Sequence, residues 1–157
     1  MATQPIPAGY HSVTPYLIVN DGNAAIAFYV KAFGATERMR MEGPGGRIGH
    51  AEIEIGDSCV MLADEHPEMG FRSPKTIGGS PVSLAVYTEN VDQMFQTAIA
   101  AGAKCLRDVQ DQFYGDRSGT LEDPFGHVWT LSTHIEDVSE EEMKKRMAAM
   151  AQKPDAA

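Results

Sequence analysis

The chain repeats itself, and that repeat constrains the possible fold more than any single residue does. TPYLIVND (Thr14 to Asp21) and PVSLAVYT (Pro81 to Thr88) share one alternation, with Leu17 and Val19 in the phase that Leu84 and Val86 occupy 67 positions later. Each run leads into a helical pattern. The first is NAAIAFYVKAFGA, with Ile26, Val30 and Phe33 spaced for one face. The second is NVDQMFQTAIAAGA, with Val91, Met94, Phe95, Ala98 and Ile99 at helical intervals. Both close on Gly followed by Ala, at Gly34 and Gly102, where glycine suits the left-handed stop of a helix. GDSCVMLAD, from Gly56, then matches FGHVWTLST, from Phe125, at a spacing of 69. Three landmarks in the same order favour duplication over chance.

Each half therefore reads as a strand, a helix and three strands, giving an α+β fold of two βαβββ modules. The expected elements are 12–20, 22–34, 36–42, 47–55 and 58–64 in module 1 (12–65). In module 2 (81–135) they are 81–88, 90–102, 104–109, 117–122 and 127–134. Residues 66–80, rich in Gly, Pro and Ser, read as a linker over the surface. The two modules make one domain over 10–138, preceded by a flexible N-terminus, 1–9. The segment 139–157 opens on Ser139 with Glu142 three residues on, a capping-box pattern, and continues as a charged helix before KPDAA frays.

At 157 residues and 43% apolar content the chain suits one domain with a sizeable core. Its formal charge of −9 disfavours general nucleic-acid binding, because an acidic surface repels phosphate backbones. No apolar run approaches the roughly 20 residues of a membrane span. MATQPIPAGY shows no secretory signal, and two cysteines, Cys59 and Cys105, are too few for a disulfide framework. These features point to a cytoplasmic protein.

Strand alternation assigns the faces of each sheet. Leu17, Val19, Ala51, Ile53, Ile55, Val60, Leu62, Leu84, Val86, Trp129 and Leu131 face the helices. Tyr16, Ile18, His50, Glu52, Glu54, Cys59, Met61, Ala63, Ser83, Ala85, Val128, Thr130 and Ser132 face away. If the spacing of 69 holds in the seventh strand, Arg117 and Gly119 join this second face. Its mixture of aromatic, hydroxyl, thioether, imidazole and carboxylate groups suits a small-molecule cleft, although one face of an antiparallel sheet can simply be wet.

The motifs TPYLIVND with AIAFYVKAFGA, and DPFGHVWTL, resemble the vicinal oxygen chelate superfamily, the glyoxalase, bleomycin-resistance and extradiol-dioxygenase group. GHAEIEIGDSCVMLADE and YGDRSGTLEDPFGHVWTLSTHIEDVSEEEM resemble its PhnB-like branch. The resemblance implies two half-barrel sheets around a cleft, with a metal ligand on each of four strands in the metal-dependent members. Carried onto this sequence, those positions are Thr14, Met61, Pro81 and Thr130. None is His, Asp, Glu or Cys, so no metal site and no cofactor are expected.

His50 and Glu52, two apart on one strand, are the candidate catalytic pair, as base and orienter or as an atypical metal centre. The candidate ligand-binding residues are Tyr16, Met61, Tyr114, Asp116, Arg117 and Thr130, with Arg117 as an anion clamp. Trp129 reads as core, and His11, His66 and His134 as isolated surface residues. Asp64 and Glu65, just past a strand, are placed where they could touch a ligand, but acidic residues in loops usually face water, and that is the expectation here. The favoured function is binding of a small organic molecule without metal; the alternative is a metal-dependent glyoxalase-like lyase, isomerase or dioxygenase. The resemblance also implies a homodimer, with Met143, Met147 and Met150 as an apolar stripe along the tail helix.

Overall fold

The structure is a computed structural model and describes residues 3–151; the expected fraying of KPDAA falls outside the described residues, as do the first two residues of the N-terminus. Among the described residues eight strands and four α-helices follow in order. They are β1 (Tyr16–Val19), α1 (Gly22–Phe33), β2 (Thr36–Glu42), β3 (Ile48–Ile55), β4 (Ser58–Asp64) and α2 (Pro74–Ile77). Then come β5 (Ser83–Tyr87), α3 (Val91–Ala100), β6 (Lys104–Asp111), β7 (Asp116–Glu122), β8 (Val128–His134) and α4 (Glu140–Ala151). The two sheets have the same order, β1-β4-β3-β2 and β5-β8-β7-β6. In each the first strand pairs parallel to the last and the other pairings are antiparallel. The duplication is therefore a duplication of topology.

Local chemistry explains the element ends. Asp21 caps α1 by accepting from Ala24 N–H at 3.0 Å, and Gly34 ends it at φ 65°. The first strand of each module is shorter than expected, β1 beginning directly after Pro15 and β5 two residues after Pro81. Proline has no N–H to donate to a ladder, so it sits at the strand boundary. The linker is not wholly irregular, because Ser73 caps the short α2 through Thr76 N–H. In the last helix the Glu142 amide donates to Ser139 Oγ at 3.2 Å, one arm of the expected capping box, while the Glu142 carboxylate pairs with Arg146 instead.

The helix-facing sides of both sheets share one apolar core. Tyr29 and Phe33 of α1 pack against Trp129 of β8, with ring centroids 5.5 and 4.9 Å apart, and α1 packs on α3. Asp123, 2% exposed, sits in the middle of this core. Its Oδ2 accepts from Tyr29 Oη at 2.7 Å and Trp129 Nε1 at 2.8 Å; its Oδ1 accepts from the Phe125 and His127 amides at 2.9 and 3.0 Å. His127 Nε2 also lies 3.0 Å from the Ile18 carbonyl, linking β8 to β1.

The repeat changes register once inside module 2, and this corrects the sequence reading. Glu54 pairs with Cys59 across the first hairpin, and Glu122 pairs with Val128 across the second. The second hairpin is one residue longer, so β7 follows β3 at a spacing of 68 while β8 follows β4 at 69. A slip of one residue moves every side chain of a strand to the other face. Asp116, Ser118 and Thr120 therefore face away from the helices, and Arg117 and Gly119 face α3. A Cβ on Gly119 would lie 2.8 Å from the Phe95 and Val109 side chains, which is why glycine stands there.

Among the described residues no helix is long and apolar enough to cross a membrane. Truncating Asp123 should be the most damaging polar change in the core, since it strands four buried donors. Asp123→Ala is expected to lower unfolding free energy by about 3 kcal/mol or more, against about 1 kcal/mol for Tyr29→Phe, in urea denaturation followed by near-UV circular dichroism. Equal losses for the two variants would show that the carboxylate does not hold the two modules together.

Candidate functional site

Because both sheets direct their apolar sides into one core, their opposite faces point away from it. Each of those faces carries its own polar cluster, and none of the hydrogen bonds described below joins module 1 to module 2. On the first face β3 places His50 and Glu52 side by side, β1 brings Tyr16, and β4 sets Met61 between them, paired with both Tyr16 and Glu52. Three of the expected site residues thus form one chain. Tyr16 Oη lies 2.8 Å from His50 Nδ1, and His50 Nε2 lies 3.3 Å from Glu52 Oε1.

Glu52 is 6% exposed, an unusual burial for a carboxylate that its partners explain. Tyr10, from the segment before β1, donates to both carboxylate oxygens at 2.6 Å. Cys59 Sγ lies 3.9 Å from the same group, and the Arg38 guanidinium lies over the Tyr10 ring at 5.0 Å. The Tyr10 hydrogen bond, helped by His50 and by the Arg38 charge, holds the Glu52 carboxyl below its usual range despite burial. Burial pushes the Cys59 thiol up, so this cysteine is a poor nucleophile. Burial likewise raises Tyr16 and keeps it a phenol. Tyr10 and Arg38 were not legible as site residues: Tyr10 lies 42 positions from Glu52, and no local periodicity connects them.

A recess of about 420 Å³ opens beside this chain, walled by Tyr16, Ile18, Gly49, Ala63, Met69 and Phe71 with Asp64 and His66. Asp64 does not face water as expected. It is 5% exposed and uses its two oxygens on the Gly22 and Ile48 amides, at 2.7 and 2.6 Å. Glu65 accepts from the Ser73 amide and the Thr76 hydroxyl, tying the linker down.

On the second face Asp116, 6% exposed, accepts from Tyr87 Oη at 2.8 Å and lies 2.8 Å from His134 Nδ1. His134 is thus not isolated, since Nε2 also reaches Asp137 at 3.0 Å. Tyr114 and Ser118 meet at 3.5 Å, and Thr130 meets Thr120 at 3.2 Å. Arg117 belongs to neither face. It makes a bidentate pair with Asp92 of α3, 2.8 Å on each arm, and a third bond to Asp111. The register of β7 thus sets Arg117 on the α3 side, apart from His50, where it fastens α3 to its sheet.

The four positions where metal ligands would fall do not fit a divalent ion. Thr14 spends its hydroxyl on the His11 carbonyl, Thr130 is matched with Thr120, Met61 offers a thioether, and Pro81 has no side-chain donor. Among the described residues no group of three or more His, Cys, Asp or Glu side chains is placed to hold a metal ion.

The profile of the Glyoxalase/Bleomycin resistance protein/Dioxygenase superfamily matches residues 9–131. An uncharacterized protein of Mycobacterium tuberculosis is 41% identical over 141 residues, covering 88% of this chain and 83% of its own. TioX from Micromonospora sp. ML1 superposes with a TM-score of 0.63 at 27% identity, over 80% of this chain and 99% of that one. A PhnB protein from Bacillus cereus shares the fold, with a TM-score of 0.63 at 19% identity over 78% of this chain and 99% of its own.

The second cluster has a pH signature. Hydrogen bonds to Asp116 and then Asp137 raise His134 above its ordinary 6.5. A raised imidazolium stabilises the folded state fully below the unfolded value, and that contribution is lost as pH rises through the folded value. The advantage of the natural protein over His134→Asn in thermal midpoint should be largest at pH 6 and shrink toward pH 9. An advantage that grows with pH would contradict the assignment.

Proposed function

Because the chain belongs to the Glyoxalase/Bleomycin resistance protein/Dioxygenase superfamily, we propose that it binds a small organic molecule on the open face of its first sheet, without the metal centre of the metal-dependent members. The observation that carries this reading is the pairing of a mostly apolar recess with one ordered polar chain, Tyr16–His50–Glu52, on the same face. Binding sites commonly combine apolar walls with a few fixed polar groups, and 420 Å³ lies within the usual range of roughly 300–1,000 Å³. Tyr10 restrains the buried end of the chain, so the groups a ligand meets are set before it arrives.

A single chain turns its two polar faces away from one another. We therefore place the second face, with Tyr87, Asp116, Tyr114 and Thr130, opposite the first face of a second copy, so that a homodimer completes the cleft. The exposed Tyr87, at 66%, and Val13, at 84%, support an interface of this kind. A cytoplasmic setting agrees with the acidic charge and the free cysteines.

The second reading, an enzyme centred on His50 and Glu52, is favoured by the hydrogen-bond chain itself, which has the form of a base held by a carboxylate. Metal analysis separates the two. Protein purified after growth with added Zn, Ni, Mn and Fe is expected to carry these ions well below one per chain, with a thermal midpoint unmoved by EDTA. A stoichiometric metal that disappears in the His50→Ala, Glu52→Ala double variant would replace the binding reading with the enzymatic one.

A further inference from the structure

The polar chain on the first face has a direction, and the direction specifies what a ligand must offer. Glu52 is an ionised carboxylate that only accepts, and it already accepts from Tyr10. The ring nitrogen facing it, His50 Nε2, therefore carries the hydrogen. In a neutral imidazole the other nitrogen must then be the acceptor. Tyr16 Oη stands 2.8 Å from that Nδ1, so the phenol hydrogen points inward, at the imidazole. The phenolic oxygen keeps its lone pairs and no hydrogen to give.

Tyr16 is also the residue that bounds the recess, and it is half exposed. The remaining wall beside it is apolar, with Ile18, Ala63, Met69 and Phe71. Asp64, in the same wall, is buried and engaged by two backbone amides. His66 Nδ1 is turned to Glu68, 3.2 Å away, which by the same rule leaves Nε2 of a neutral ring as an acceptor and adds no donor to the wall. Tyr16, a residue of the recess wall, thus brings to it a phenolic oxygen that accepts and does not donate, and buried or half-buried acceptors are costly to leave unpaired once water is displaced.

We infer that the recess selects small molecules with an apolar or aromatic body and one hydrogen-bond donor, a hydroxyl or an ammonium group, which seats on the Tyr16 oxygen, and that it rejects carboxylates. This rests on the reading of the first face as a ligand site and adds the chemical class. His50 and Glu52 act in it as positioning residues, setting the polarity of Tyr16 without touching the ligand.

The test uses four single-ring probes at pH 8, namely benzyl alcohol, benzylamine, toluene and benzoate, titrated into the full chain while the methyl signals of Ile18, Ala63 and Met69 are followed by NMR. The alcohol and the amine are expected to bind about fivefold more tightly than toluene, the ratio one net hydrogen bond supplies, and benzoate more weakly than toluene. Tyr16→Phe should bring the alcohol and the amine down to toluene. Glu52→Gln gives the chain a donor at its buried end, freeing His50 to take the other tautomer and Tyr16 to point its hydrogen outward, so the penalty on benzoate should shrink or reverse. Benzoate binding as well as benzyl alcohol in the natural protein, a donor preference that survives Tyr16→Phe, or an unchanged preference in Glu52→Gln would each overturn this inference and leave the site reading standing. If no probe, toluene included, moves the recess signals, the site reading falls and the inference with it.

Discussion

One buried carboxylate organises the molecule. Asp123 receives hydrogen bonds from a phenol on α1, an indole on β8 and two amides of its own hairpin, so it joins module 1 to module 2 at the centre of the shared core. A charge in such a place is tolerable only when fully hydrogen-bonded, and the arrangement meets that condition. The same bonds hold open the β7–β8 hairpin, which is one residue longer than its counterpart in module 1. That extra residue decides which side chains of β7 look outward. Core architecture and surface chemistry are therefore set at one point.

The consequences reach both faces. Where the hairpin is short, β3 turns His50 and Glu52 outward beside Tyr16. Where it is long, β7 turns Asp116, Ser118 and Thr120 outward and directs Arg117 into an ion pair with Asp92. The two modules thus share a fold but not a site. At positions that correspond by topology, one face holds an imidazole and a carboxylate and the other holds two hydroxyls, Ser118 and Thr120. The exposed β2 carries Glu37, Arg38, Arg40 and Glu42, charges that discourage another strand from pairing there.

Much of this was legible in the residues. Period-two alternation identified Leu17, Val19, Ile53, Leu62, Trp129 and Leu131 as helix-facing, and all are buried. The same rule put Tyr16, His50, Glu52 and Met61 on one outward face, because alternation is a local property that needs only the strand's phase. It failed for Arg117, where the phase was carried across a hairpin of unknown length. It was silent on Tyr10 and Arg38, and it read His134 as solitary. Those side chains gain their partners through loops and through strand pairing, and neither leaves a periodic mark.

By itself, then, the sequence determined the repeated topology and the core faces. Each of these follows from side-chain type and short-range spacing. Only the tertiary structure decided the meeting of Glu52, His50 and Tyr16 in one chain, the burial of Asp64 and Asp123, and the face of β7. Which polar groups meet is a long-range matter, joining residues as far apart in the chain as Tyr29 and Asp123.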